Sequence, residues 1–456
     1  MPDPAHRPAP PASAPQALPP LPASATPASL ALAGLVSLLL ACWALFGMQL
    51  MGPLHSTPAA AWALAALLAA VGGGMSLFDV LWLRSWQRNL VAVRRQPLRV
   101  RAARVGRKWL GLHATLAAVA AVYWVLAEYR GSLYAPFFTV AGTLLPVFSL
   151  LALPYIAWVD ARMARPQDIY WQLGDALLGG GGRIDRAALG QHALAWAVKG
   201  FFLPLMFGYA TRNVVSLATG QDLLQGTPDF GRVFEWTFTT LYFIDVVWGA
   251  VGYLWSLRLT DSHVRSTEPS ALGWVVALMC YEPISRGLWP AWFAYDAGRP
   301  WGHWLAASPL LYQAWGSLIL LLTGVYAWAT VSFGLRFSNL THRGIVTNGP
   351  YRWVRHPAYL AKNLSWWLIT MPFMVAGDPA HNLRLCAMLL LVNGLYALRA
   401  RTEARHLLHD PVYQAYDQAL AARQRALRQR LLGLVRPARP SLAPPVAGPL
   451  QPAQRG

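Results

Sequence analysis

Ten stretches of mainly apolar residues run through this chain, each of about 17–25 residues and so long enough to cross the hydrocarbon core as a helix. They lie near residues 29–51, 58–83, 109–127, 135–159, 196–218, 233–257, 271–296, 306–330, 358–376 and 382–398. Lipid offers backbone amides no hydrogen-bond partner, so such segments are helices rather than loops. Composition agrees. Charged residues are 12% and hydrophobic residues 55% of the 456, where a soluble globular domain has roughly 25% charged. The expected fold class is an all-α integral membrane protein of about ten transmembrane helices. Glu282, Pro283, Arg286 and Pro290 interrupt the seventh stretch, which predicts a broken or re-entrant helix covered by protein or by a water-filled cavity.

The connectors set the orientation. Segment 84–108 carries Arg84, Arg88, Arg94, Arg95, Arg99, Arg101, Arg104, Arg107 and Lys108 with no acidic residue, and the positive-inside rule makes it cytoplasmic. Alternation then places 160–195, 258–270, 331–357 and everything after 398 on the same side. All of these carry arginines, and 331–357 and the stretch after 398 are basic, although 160–195 and 258–270 hold as many acids as arginines; 128–134 and 219–232 are short and nearly neutral. Both termini are thus expected in the cytoplasm, with a bacterial inner membrane as the setting. A miscounted span in the middle would have broken this agreement.

The net charge of +19 is accounted for by these flanking residues, and no known nucleic-acid motif accompanies it, so nucleic acid is not an expected partner. Cys42, Cys280 and Cys386 have neither disulfide nor zinc spacing and read as small buried hydrophobes. The run Gly179–Gly182 lacks a following Gly-Lys-Ser/Thr and reads as a flexible turn rather than a phosphate loop. Residues 1–28 and 436–456 are Pro-rich and expected to be disordered. The first is not a secretory signal, because its apolar run begins late with no basic region abutting it. Between them, 29–300 forms a multi-span region of unknown role and 301–435 a second membrane domain.

Chemistry concentrates in Gly344-Ile-Val-Thr-Asn-Gly-Pro-Tyr-Arg-Trp-Val-Arg-His-Pro-Ala-Tyr359. Gly349-Pro350 punctuates a turn. Tyr351, Arg352, Trp353, Arg355 and His356 follow on a cytoplasmic connector, and Pro357 suits the first turn of the next helix. Unpaired amides at that helix start favour an anion, and the aromatic faces beside it can hold a cation or stack on a base. Taken alone, the stretch reads first as an interfacial anchor, with Tyr and Trp at headgroup level and Arg meeting lipid phosphate.

Residues 349–359, however, resemble the signature of the isoprenylcysteine carboxyl methyltransferase family and its phospholipid methyltransferase relatives. In that family the His-Pro-x-Tyr turn opens a helical hairpin, and an acidic pair follows on the next cytoplasmic helix. Here 358–376 and 382–398 supply the hairpin, Glu403-Ala404-Arg405-His406-Leu407 follows, and Pro411-Val-Tyr-Gln-Ala-Tyr416 resembles the closing element. The resemblance covers roughly residues 306–432. It implies an S-adenosylmethionine pocket without a Rossmann fold, with His356, Arg355 and Tyr359 near the cofactor and Glu403 reaching it from the other side, toward its ribose hydroxyls or its ammonium. Tyr351 and Trp353 would pack on the adenine or the sulfonium, and Arg355 or Arg352 would hold an anionic substrate, since a guanidinium fork matches carboxylate or phosphate. The sequence departs from the family in one place. Where two consecutive acids are common, Ala404 follows Glu403, so another group would have to replace the second carboxylate.

The leading function is therefore carboxyl O-methylation of an isoprenylcysteine-like group on a lipophilic or lipid-linked substrate. N-methylation of a phospholipid headgroup or other amine is the enzymatic alternative. A transporter or scaffold with a vestigial methyltransferase fold is the non-enzymatic one. His406, His409 and Asp410 share a helix face, but the remaining histidines are scattered and no metal is expected. Asp79, Arg212, Asp245, Glu282 and Arg286 fall within or beside spans, where charge marks either function or cross-helix pairing. Arg212 with Asp245 is one such candidate pair. Arg84 and Lys108, near helix ends, are expected to snorkel.

Overall fold

A computed structural model describes residues 18–93, 96–220, 229–296, 298–374 and 378–435. The chain is all-α: α1 (Ala28–Cys42), α2 (Thr57–Phe78), α3 (Leu98–Val125), α4 (Ala135–Asp160), α5 (Ile169–Leu177), α6 (Arg186–Thr219), α7 (Phe230–Leu254), α8 (Ala271–Leu278), α9 (Ile284–Trp292), α10 (Trp301–Leu305), α11 (Pro309–Val331), α12 (Pro357–Thr370), α13 (Pro379–Leu407) and α14 (Pro411–Val435). One two-residue ladder interrupts the pattern, pairing β1 (Ser266–Thr267) with β2 (Thr341–His342) in antiparallel register. Helix starts follow the side chains available. Ser56, Asp168, Asp185, Asp229, Ser270 and Asp378 each accept a first-turn amide, satisfying donors that helix geometry leaves unpaired.

Among the described residues, eight helices are long and apolar enough to cross a membrane: α1 and α2 with the π-turns that extend them, α3, α4, α6, α7, α11 and α13. The two expected spans without a full-length counterpart have physical reasons. The seventh is broken, as its prolines and charges required, into α8 and α9. The ninth, α12, has 14 residues, or about 21 Å at helical rise, short of the roughly 30 Å of hydrocarbon. The main core joins α1, α2, α6 and α7 around the fully buried Trp248.

Beneath the C-terminal helices, the connectors interlock. Arg343 donates to the carbonyls of Gly252 (2.6 Å), Ser262 (2.6 Å), Phe337 (2.8 Å) and Trp255 (3.0 Å). It thereby meets the unpaired carbonyl end of α7, where a cation is favoured. Arg336 reaches the buried Asp261 at 3.1 Å. Residues 22–27 depart from the disorder expected of a Pro/Ala-rich stretch. The Ala25 amide bonds the Ile345 carbonyl (2.8 Å), Thr347 Oγ1 bonds the Pro22 carbonyl (2.8 Å) and Asn348 Nδ2 bonds the Thr26 carbonyl (2.7 Å). Backbone polar groups with such partners hold a segment that has little core of its own. Residues 1–17 and 436–456 lie outside the described residues.

Two charge readings are corrected. Lys108 does not snorkel: its side chain is 4% exposed and its ammonium stands 3.0 Å from Asp160 and 3.3 Å from Asp168, because α3 is covered there by α5. Arg212 and Asp245 do not pair. They lie at different depths, roughly two and four turns from the connector joining α6 and α7. Asp245 instead accepts Tyr326 Oη (2.6 Å) and Thr330 Oγ1 (2.5 Å) from α11. Arg212 lines a separate cavity of about 600 Å³ with Glu128, Glu282 and Arg286.

Candidate active site

Two separated pieces of sequence meet where the start of α12 lies beside the end of α13. Pro350 and Pro357 shape the first: a 3₁₀ turn at Gly349–Arg352 leads to His356 as the residue before α12. The second is not a new helix after the hairpin, as expected, but the last turns of α13 itself, which runs unbroken to Leu407. Tyr359 Oη donates to Glu403 Oε2 at 2.8 Å, and His356 Nδ1 lies 3.9 Å from the same oxygen. The His356 and Tyr359 rings stack at 5.6 Å with planes 8° apart. Burial lowers the His356 pKa, helped by Arg355 and Arg399 and opposed by Glu403, so the imidazole is held in its neutral form.

Arg399, one turn before Glu403, completes the cluster and carries no signal in the local sequence that marks it. It is 5% exposed and its guanidinium lies over Tyr359 (5.0 Å), Tyr281 (5.2 Å) and Tyr396 (6.0 Å). Its Nη2 donates to Asn339 Oδ1 at 2.6 Å and to Tyr281 Oη at 3.3 Å. A guanidinium among ring faces gains cation–π attraction once desolvated. Tyr281 comes from the break between α8 and α9, which is what that interrupted span contributes here.

A cleft runs beside this cluster, lined by Glu268, Gly273, Ser338–Thr341, Tyr359, Arg399, Thr402, Glu403, His406 and Leu407. About 30 Å³ of it can hold water-sized molecules, enough for a water or two, so a larger ligand enters only if the walls part. The Thr341 hydroxyl is out of solvent and has no hydrogen-bond partner among the described residues. His406 is hydrogen-bonded to Ser266 Oγ at 2.9 Å. Among the described residues no group of three His, Cys, Asp or Glu side chains is placed to hold a metal ion.

The other residues named from sequence lie elsewhere. Tyr351 is buried against Phe333 at 5.3 Å, and its carbonyl accepts Tyr416 Oη at 2.7 Å; it is a strut between the turn and α14. Trp353 is 60% exposed, edge-on to Trp328. Arg355 forms an ion pair with Asp417 of α14 at 2.5 Å. Arg352 is exposed and forms no ion pair among the described residues. Ala404 faces away from the cleft into an apolar cluster with Leu21, Ile345, Tyr413, Tyr416 and Leu420, where a second carboxylate would be costly to bury.

No curated protein and no solved structure matches the chain. Residues 317–409, from within α11 through the end of α13, match the model of the isoprenylcysteine carboxyl methyltransferase (ICMT) family. The C-terminal part of this all-α membrane protein thus carries the pattern of a membrane methyltransferase of the isoprenylcysteine carboxyl methyltransferase type.

Proposed function

We propose that the protein is a membrane-embedded, S-adenosylmethionine-dependent methyltransferase acting at the cytoplasmic face on a lipophilic or lipid-linked substrate. The reaction proposed is carboxyl O-methylation of an isoprenylcysteine-like group. The observation that carries this reading is the convergence of His356, Tyr359 and Glu403, from either side of one helical hairpin, inside the family-matched region.

The residues present fit the cofactor chemically. It has an ammonium, ribose hydroxyls and a sulfonium, while the cleft offers the carboxylates of Glu403 and Glu268, the unpartnered Thr341 hydroxyl and the ring of Tyr359. Bound there, S-adenosylmethionine would supply a methyl group already activated on sulfur. The chain's part is then positional. Tyr359 fixes the Glu403 carboxylate, Arg399 fixes Tyr359 from its ring face, and the neutral His356 stands 3.9 Å from the same carboxylate. Alignment of this kind is worth on the order of 7–11 kcal/mol in favourable intramolecular cases. A carboxylate nucleophile is ionised at neutral pH and asks for no general base. Arg352, which has no acidic partner among the described residues, is the proposed holder of the substrate's anionic group, with Arg355 beside it once released from Asp417.

The test is methyl transfer by the full-length protein in membranes given methyl-labelled cofactor, followed by mild base. Volatile label released by base supports the ester. Stable label in extracted lipid replaces O-methylation by N-methylation. No incorporation, with no cofactor binding by pure protein, ends the enzymatic reading in favour of a transporter or scaffold.

A further inference from the structure

The connector before α8 brings a second carboxylate to the cleft from outside the family-matched region. Glu268 is 5% exposed. One of its oxygens accepts the Ser270 amide at 2.9 Å. The other stands 3.9 Å from His406 Nδ1, beyond hydrogen-bond reach, and the far nitrogen of that ring is engaged by Ser266. Arg399, which lines the same cleft, turns Nη2 to Asn339 and Tyr281 rather than to either acid. The Thr341 hydroxyl nearby is also buried and unpartnered. Glu403 differs, since Tyr359 donates to it and it is 39% exposed. A buried carboxylate with one amide donor is costly unless a cation joins it.

We infer that Glu268 receives the ammonium at the amino-acid end of the methyl donor, so that the cofactor site is closed by a wall from the N-terminal region. This rests on the methyltransferase reading above. The ladder between β1 and β2 gives the wall its place. Ser266 pairs with His342 and Thr267 with Thr341, and the Glu268 amide bonds the Leu340 carbonyl at 2.8 Å. The carboxylate is thereby tied by backbone to the connector that leads into the His356 turn.

The test uses purified full-length protein and two probes that share a nucleoside. S-adenosylhomocysteine carries the amino-acid end and 5′-methylthioadenosine lacks it. Glu268→Gln keeps the shape and the acceptor for the Ser270 amide while removing the charge. Calorimetry should show homocysteine-probe affinity weakened about 10- to 100-fold, with methylthioadenosine affinity unchanged. Equal weakening of both probes, or of neither, overturns the proposal. Should Glu268→Gln fail to fold, Glu268→Asp asks the same question with the charge kept on a shorter arm: a selective loss supports the proposal and an equal loss overturns it. Wild-type protein that binds neither probe removes the methyltransferase reading itself, which separates the two failures.

Discussion

Tyr359 donates to a carboxylate that also faces His356, so three side chains share one oxygen's surroundings. A hydrogen bond to a charged acceptor contributes about 1.5–3 kcal/mol, and Tyr359→Phe should weaken S-adenosylhomocysteine binding roughly tenfold, read by calorimetry with unchanged expression. Glu403→Ala and His356→Ala should each abolish binding; full affinity in both would misplace the pocket. Two other imidazoles contribute to acid sensitivity. Burial amid Arg258, Arg265, Arg343 and Arg336 holds the His263 pKa down at about 3. Burial brings His342 to about 4 against the pull of Asp410. Both fall below the usual value near 6.5, so between these limits the unfolded chain binds more protons than the folded one. The stability that depends on keeping both rings neutral is therefore whole above pH ~6.5 and is lost progressively as the pH drops toward about 3. A thermal melt series should decline over that window, and His263→Gln with His342→Gln should flatten it; an unchanged slope would place the titration elsewhere. At this scale His356, Tyr359 and Glu403 were legible because each sits in a recognisable local string. Arg399 and Glu268 were not, because what marks them is a set of partners distant in sequence.

Among the elements, α5 shows how a basic stretch can mislead. Charges near a helix end announce an interface, but only the packing of α3 against the end of α4 and the start of α5 reveals that Lys108 and Arg104 face Asp160, and Lys108 also Asp168, from inside. Glycines permit that packing. A Cβ on Gly111 would collide with the Tyr170 carbonyl, and one on Gly174 with the Arg107 carbonyl. Backbone offers no flexible end to yield, so Gly174→Ala should destabilise by about 1–3 kcal/mol or more and lift α5 away. Limited proteolysis in the 178–185 connector, faster in the variant than in the parent, checks this; an unchanged rate would show that α5 tolerates the methyl. The interrupted seventh span was readable from Pro283 and Pro290. Its purpose was not, since Tyr281 gains its meaning only where Arg399 meets it. The length of α12 was also hidden, because apolar composition continues past Thr370, where the helix ends in a left-handed Met371.

Taken whole, the described residues make contacts across residue 300, where the motifs change character. Arg343 is buried against carbonyls of α7 and of the connector after it, residues 22–27 bond the 345–348 connector, and β1 joins β2. Such contacts join distant stretches, which is why the six spans before residue 270 gave no functional sign when read alone. A fragment beginning at residue 301 would strand the Arg343 guanidinium without three of its four acceptors, and unmatched buried charge costs several kcal/mol. Residues 301–456 expressed alone should therefore reach the membrane yet bind no S-adenosylhomocysteine, while co-expression with residues 1–300 should restore binding to within a fewfold of the intact chain. The cut falls in a connector between α9 and α10 that lies away from Arg343 and Glu268, so a failure of restoration cannot be assigned to a severed site residue. Full affinity in the lone fragment would mean that the C-terminal helices build the cleft unaided and that the wall carrying Glu268 is dispensable.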